Sequence, residues 1–210
     1  MAAGTRERLI EAATVLFYRE GFRSVGLDQV LGDVGITKTA FYKHFESKDD
    51  LMVEALNRQN VWLQNHFLQT IREHGGTSAR GQLLSLFQAI EQIMNEPGYH
   101  GCIFISAIME FPQPYDPAHL AAVENRRAIE RIIVEIAERA RASDPEALAK
   151  EVCLIIEGAF VSQQLTRDTA SLAAARRLVE SVVDRYLPAE SVVAGDFISR
   201  THSRVGESPG

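Results

Sequence analysis

Between positions 37 and 48 the chain sets Thr37, Lys38, Thr39, Tyr42, Lys43, His44 and Lys48, placing three of its four lysines in one short stretch. Ammonium groups, hydroxyls and an imidazole at this density form a surface rich in hydrogen-bond donors. Such a surface suits a polyanion. Contacts to phosphate set register and supply much of the affinity, and contacts to base edges choose the sequence. The chain offers no competing chemistry of comparable specificity. It has no nucleophile elbow, phosphate loop, dinucleotide fingerprint or His-Glu-x-x-His pattern. Its two cysteines, Cys102 and Cys153, make no disulfide framework, and each reads as a buried structural thiol. His100, Cys102 and Glu110 lack the spacing of a zinc site. No metal and no cofactor is expected.

The elements that must position the donor stretch are helical. Leu9, Ala12, Ala13, Leu16 and Phe17 form a one-sided stripe over Thr5–Glu20, which Gly21 stops. Leu27–Val34 repeats the pattern and ends at Gly35. Periodicity predicts a third short helix over Lys38–Phe45. Ser47 and Asp50 then have the form of a capping box, opening a long helix that ends near Gly75–Gly76. Further helices are predicted over Ala79–Asn95, Cys102–Glu110, Ala118–Ala142 and Asp144–Leu165, with Pro145 placed to start the last of these. A final helix, capped by Asp168 or Thr169, ends at Leu187–Pro188. No segment alternates as a strand does. The expected fold is all-α, with about nine helices.

Composition sets the frame. The chain has 210 residues, 46% hydrophobic and 24% charged, with a mean hydropathy of −0.09. These are values for a globular chain with a sizeable core, not for a disordered or disulfide-stapled one. No apolar run approaches the roughly 18 residues of a membrane span, and Glu7 and Glu11 stand where a secretion signal would be basic, then apolar. A cytoplasmic protein without membrane contact is expected. The net charge of −6 argues against general affinity for nucleic acid. Its distribution does not: residues 1–48 hold seven basic and six acidic residues, a balance of +1, which leaves −7 for the remainder.

Two short helices joined by a glycine-containing turn make a helix-turn-helix when their apolar faces pack at a steep angle. Here Val30, Val34, Ile36, Phe41 and Phe45 would pack against Leu16 and Phe17, leaving the donor stretch on the open face to enter a major groove. The segment from Gly21 to Leu51, GFRSVGLDQVLGDVGITKTAFYKHFESKDDL, resembles the DNA-binding domain of TetR-type transcriptional repressors. Gly35, Ile36, Thr37, Lys38, Phe41, Tyr42, His44, Phe45, Ser47, Lys48 and Leu51 carry the resemblance. It implies that Tyr42 and His44 hold the DNA backbone, that Lys48 meets a phosphate, and that Thr37, Lys38, Thr39 and Lys43 contact base edges or nearby phosphates. The sequence departs from the family at Gly26, where a hydroxyl residue usually caps the second helix, and at Leu31–Gly32.

The implied organisation is an N-terminal three-helix helix-turn-helix domain over residues 1–47, a larger helical effector-binding and dimerisation domain over 48–187, and a flexible tail over 188–210. The implied function is sequence-specific regulation of transcription, most simply as a repressor that a small-molecule effector releases from a palindromic operator. The last two long helices are the expected homodimer surface. Their stripes are Leu148, Val152, Ile155, Ile156, Ala159 and Phe160, then Leu172, Ala175, Leu178, Val179, Val182, Val183 and Tyr186. The alternative is that both stripes are intramolecular core. Trp62, Phe67, Phe104, Ile108 and Phe160 are candidates for the effector pocket, or else core. The rival functions are a small all-helical enzyme using His100, Glu110 and the apolar central helices, and a protein-interaction module using the same helices. With no catalytic motif present, the chain is not expected to be an enzyme.

Overall fold

The computed structural model describes residues 4–167 and 170–188. Among them are nine α-helices: α1 (Thr5–Glu20), α2 (Leu27–Val34), α3 (Lys38–Phe41), α4 (Lys48–His74), α5 (Ala79–Met94), α6 (Ile103–Glu110), α7 (Pro117–Arg139), α8 (Pro145–Thr166) and α9 (Ala170–Tyr186). No helix of the described residues is long and apolar enough to cross a membrane. The expected tail over 188–210, apart from Pro188, and Asp168 and Thr169 as a cap for α9 lie outside the described residues.

The chain forms two compact units. The first holds the residues up to Asn60 together with Cys102–Asn125. Its core is built by the α1 stripe (Leu9, Ala13, Leu16, Phe17), by Phe22 and Val25 of the following turn, by Val30 and Val34 of α2, and by Phe41 and Phe45, all buried. Ile36, expected in this core, is only half-buried. The α2–α3 turn follows from Gly35, which sits in the left-handed region at φ 73°, ψ 42°. There the amides of Gly35 and Ile36 both reach the Leu31 carbonyl, at 2.9 and 3.1 Å. This closes α2 in the way left-handed glycine caps do. The Arg8 guanidinium of α1 donates to the Val34 carbonyl at 2.5 Å, so a cation meets the negative end of α2.

α3 is a single turn, shorter than the periodicity predicts. Phe41 and Phe45 keep helical spacing and stack at 5.7 Å. The amides of His44 and Phe45 nevertheless both converge on the Phe41 carbonyl, at 2.8 and 3.1 Å, which ends the regular ladder. The capping residue Ser47 then accepts from the Asp50 amide at 3.0 Å and opens α4.

The second unit holds the described residues of 61–101 and 126–210. Ser78 caps α5 and Asp144 caps α8, with Pro145 in the first turn of α8. Leu83, Leu86 and Ile90 of α5, Ile133 and Ile136 of α7, Val152 and Ile156 of α8, and Val179 and Val183 of α9 fill the core. Ion pairs tie helices together at the rim: Arg80–Asp184 joins α5 to α9 at 2.7 Å, and Arg126–Glu157 joins α7 to α8 at 2.6 Å.

Candidate nucleic-acid interface

The first unit turns the donor stretch outward. Thr37, Lys38, Thr39, Lys43 and His44 are exposed, and Tyr42 is 59% exposed. Phe41 and Phe45, between and beyond them, are buried. Two phenylalanines therefore act as roots and hold a one-turn helix whose Lys38 and Thr39 face solvent. Thr37 has a second task, because its hydroxyl accepts from the Ala40 amide at 3.2 Å and caps the turn. Lys38, Thr39 and Tyr42 share a face by helical spacing. The Tyr42 ring meets Phe41 edge-on at 5.3 Å, which fixes its direction.

The lysines are not equivalent. Lys38 pairs with Asp28 of α2 at 2.8 Å. This hydrogen-bonded carboxylate, with a smaller contribution from Tyr42, raises the Lys38 pKa. Lys48 is half-buried. Its Nζ donates to the Phe22 carbonyl at 2.6 Å and lies 5.8 Å from the centre of the Phe17 ring. Burial lowers its pKa against the opposing pull of Asp49 and Glu110. The lysine that sequence reading assigns to a phosphate is thus engaged with its own backbone, and Lys43 stands exposed.

Sequence reading missed the contacts made by two acidic residues of this unit. Asp28 holds Lys38. Glu110, at the end of α6, accepts from the Phe22 amide at 3.0 Å and from the Arg23 amide at 2.7 Å. Neither had a signal in the periodicity. Asp28 could have been found as an acid ten residues before a lysine across a helix-turn-helix. Glu110 meets a turn 88 residues away, and no local pattern encodes that.

Comparison with known proteins agrees with this geometry. Residues 9–55 match the model of bacterial regulatory proteins of the tetR family, and residues 79–179 match that of the tetracyclin repressor-like C-terminal domain. The chain belongs to the TetR family. It is a DNA-binding transcriptional regulator of the helix-turn-helix type. The HTH-type transcriptional regulator YjdC of Escherichia coli is 25% identical over 182 residues, which is 85% of this chain and 93% of YjdC. The TetR-family regulator SCO4454 of Streptomyces coelicolor has a similar structure, with TM-score 0.78 and 27% identity over 87% of this chain and 95% of that one. E. coli NemR in its reduced form shares the fold at TM-score 0.77 and 22% identity, over 89% and 99% of the two chains.

The other residues singled out in this TetR-family chain are placed as follows. Phe67 and Phe160 are buried in the second unit, where Trp62 is 43% exposed and stacks on His66 at 5.4 Å. Phe104 is buried and Ile108 half-buried, both in the first unit. In the second unit a cavity of about 190 Å³ is lined by Phe87, Glu91, Leu172, Ala173 and Arg176, none of them among those five. His100 belongs to the second unit and Glu110 to the first, and both Glu110 oxygens are occupied by backbone amides.

The stripes read as a dimer surface are mostly core. Leu148, Val152, Ile156, Ala159, Phe160, Leu172, Ala175, Val179, Val182 and Val183 are buried within the single chain. The large apolar side chains that α8 and α9 leave exposed are Leu154, Val161, Leu165 (80%) and Leu178. With the exposed Gly158, the α8 members follow a spacing of four, three and four residues, which is a second stripe. The fuller of the two stripes goes to the chain's own core.

Proposed function

We propose that this chain is a repressor that binds a palindromic operator as a homodimer and is released by a small-molecule effector. The carrying observation is the one-turn α3, rooted by buried Phe41 and Phe45, with Thr37, Lys38, Thr39, Tyr42, Lys43 and His44 directed outward. Lys43 and His44 contact phosphate, and Tyr42 lies along the backbone. Thr39 and Lys38, once Lys38 leaves Asp28, meet base edges. Residues 1–47 are the reading head, and 48–187 carry effector binding and dimerisation. NemR, 21% identical over 187 residues, is named a transcriptional repressor, which supports the sign of regulation. A regulator of this kind works in the cytoplasm, where the DNA is.

Two recognition helices must lie about 34–36 Å apart to meet successive major grooves, so a dimer is required. The exposed row Leu154, Gly158, Val161 and Leu165, with Leu178 of α9, supports self-pairing of these two helices as a two-fold bundle. An effector bound in the second unit, for which Trp62, Phe67 and Phe160 remain the candidates, would act by binding one dimer geometry better than the other.

The test is binding to duplex DNA from the chain's own upstream region beside a scrambled duplex of equal length. Preference for the former, lost with Thr39→Ala or Lys38→Ala, supports the reading. Equal affinity for both duplexes overturns it. Leu154→Glu with Leu165→Glu should give a monomer by sedimentation and weaken operator binding; an unchanged dimer removes the assigned surface.

A further inference from the structure

The α1–α2 turn is held from both sides of one residue. On one side, Glu110 accepts from the Phe22 and Arg23 amides at 3.0 and 2.7 Å, and Arg23 Nε returns a bond to the Glu110 carbonyl at 2.8 Å. On the other, Lys48 donates to the Phe22 carbonyl at 2.6 Å. The Phe22 ring is buried between Phe17 at 5.2 Å and Phe111 at 6.2 Å, and the Arg23 guanidinium lies 4.8 Å from the centre of the Phe111 ring. Gly21 makes the approach possible. Its φ is +89°, and a Cβ there would come 3.1 Å from Glu110 Oε1. All these residues belong to the first compact unit.

We propose that Glu110 and Lys48 are positioning residues for DNA binding: they clamp the Phe22 peptide between a carboxylate and an ammonium and so fix the angle at which α2 and α3 leave α1. The inference rests on the reading of α3 as the recognition element. It has an uncommon consequence. An acidic side chain beside a DNA-binding surface repels phosphate, so its neutralisation ordinarily strengthens binding. Glu110 works the other way. Loss of its charge leaves the Phe22 and Arg23 amides with a poorer acceptor, the turn loosens, and the recognition helix is no longer preorganised. Lys48, in turn, serves by bonding its own chain and not by neutralising a phosphate.

The experiment uses the full chain and the upstream duplex. Glu110→Gln places an amide NH2 against one of the two N–H donors, and operator affinity falls about tenfold with no change in the dependence of affinity on salt. Glu110→Asp keeps the charge but withdraws it by one methylene, and it weakens binding as well. Lys48→Gln weakens binding with the salt dependence intact, whereas loss of a phosphate contact would flatten the slope by about 0.9 for each helix-turn-helix. The double variant loses less than the product of the two single losses. Amide exchange at Phe22 and Arg23 quickens in Glu110→Gln while the melting temperature of the chain stays within a few degrees. Tighter or equal binding by Glu110→Gln overturns the proposal, as does a flattened slope for Lys48→Gln. Failure of the recognition reading is separable, since it appears in the wild-type chain as equal affinity for upstream and scrambled duplexes.

Discussion

The Lys38–Asp28 pair makes a prediction whose sign differs from the usual effect of breaking an ion pair. Both side chains are well exposed, at 60% and 76%, and exposed pairs contribute little to stability. The pair nevertheless keeps the Lys38 ammonium facing α2, and it leaves a carboxylate beside the duplex. Asp28→Asn removes the carboxylate and frees Lys38 for a phosphate or a base edge. The chain should fold as before, and DNA binding should tighten. The magnitude follows from counterion release: each added phosphate contact steepens the slope of log affinity against log salt by about 0.9. Between about 200 and 50 mM salt, the advantage of the variant should grow by about 4 to the power 0.9, roughly 3.5-fold for each helix-turn-helix and about twelvefold for two. Fluorescence anisotropy with a labelled upstream duplex, read at several salt concentrations, measures both slope and affinity. A variant that binds more weakly at an unchanged slope would refute the reasoning. It would show that Asp28 aims Lys38 at the DNA instead of withholding it.

Three further predictions concern the scaffold. Phe41→Ala removes a fully buried ring that stacks on Phe45, so thermal unfolding should show a loss of about 3–5 kcal/mol, and operator binding should vanish before the fold does. Ser47→Ala deletes the cap of α4 at a cost of about 1 kcal/mol, which calorimetry should show as a melting temperature lower by about 2–4 °C. Burial pushes the Cys153 thiol from its ordinary 9.0 up to about 12, so the fold favours the proton-bound form. Its contribution to stability is complete below pH 9 and is lost as pH rises from 9 towards 12. Denaturant titrations at pH 8 and pH 11 should therefore diverge less for Cys153→Ala than for the wild-type chain, and equal divergence would show that the thiol contributes nothing.

Much of this architecture could be read from residue order because each helix carries its own local evidence. The α1 stripe, Gly35 after α2, Ser47 before α4 and Pro145 in the first turn of α8 each act within a few residues of where they stand. The α3 boundary was not legible. Phe41 and Phe45 continue a helical period, but the carbonyl of Phe41 is shared by two later amides, and spacing does not record that. The stripes expected at a dimer surface are mostly buried in the chain's own core, for a related reason. Periodicity finds the most apolar face of a helix, and in α8 that face serves the chain's own core, while the sparser row of Leu154, Val161 and Leu165 is left outside. The hydrogen bonds of Lys48 and Glu110 to the α1–α2 turn were hidden differently. Both act on a turn distant in sequence, through bonds to backbone atoms that carry no residue identity.

The two faces of α8 have a consequence for divergence. The residues that secure the helix to its own chain and those left outward occupy separate rows, so a change in the outer row need not disturb folding. On the proposed pairing through this row, a few substitutions at positions such as Leu154 and Leu165 after duplication of such a chain would be enough to stop the sister proteins from mixing. Each would then keep its own operator while the inherited scaffold stayed the same.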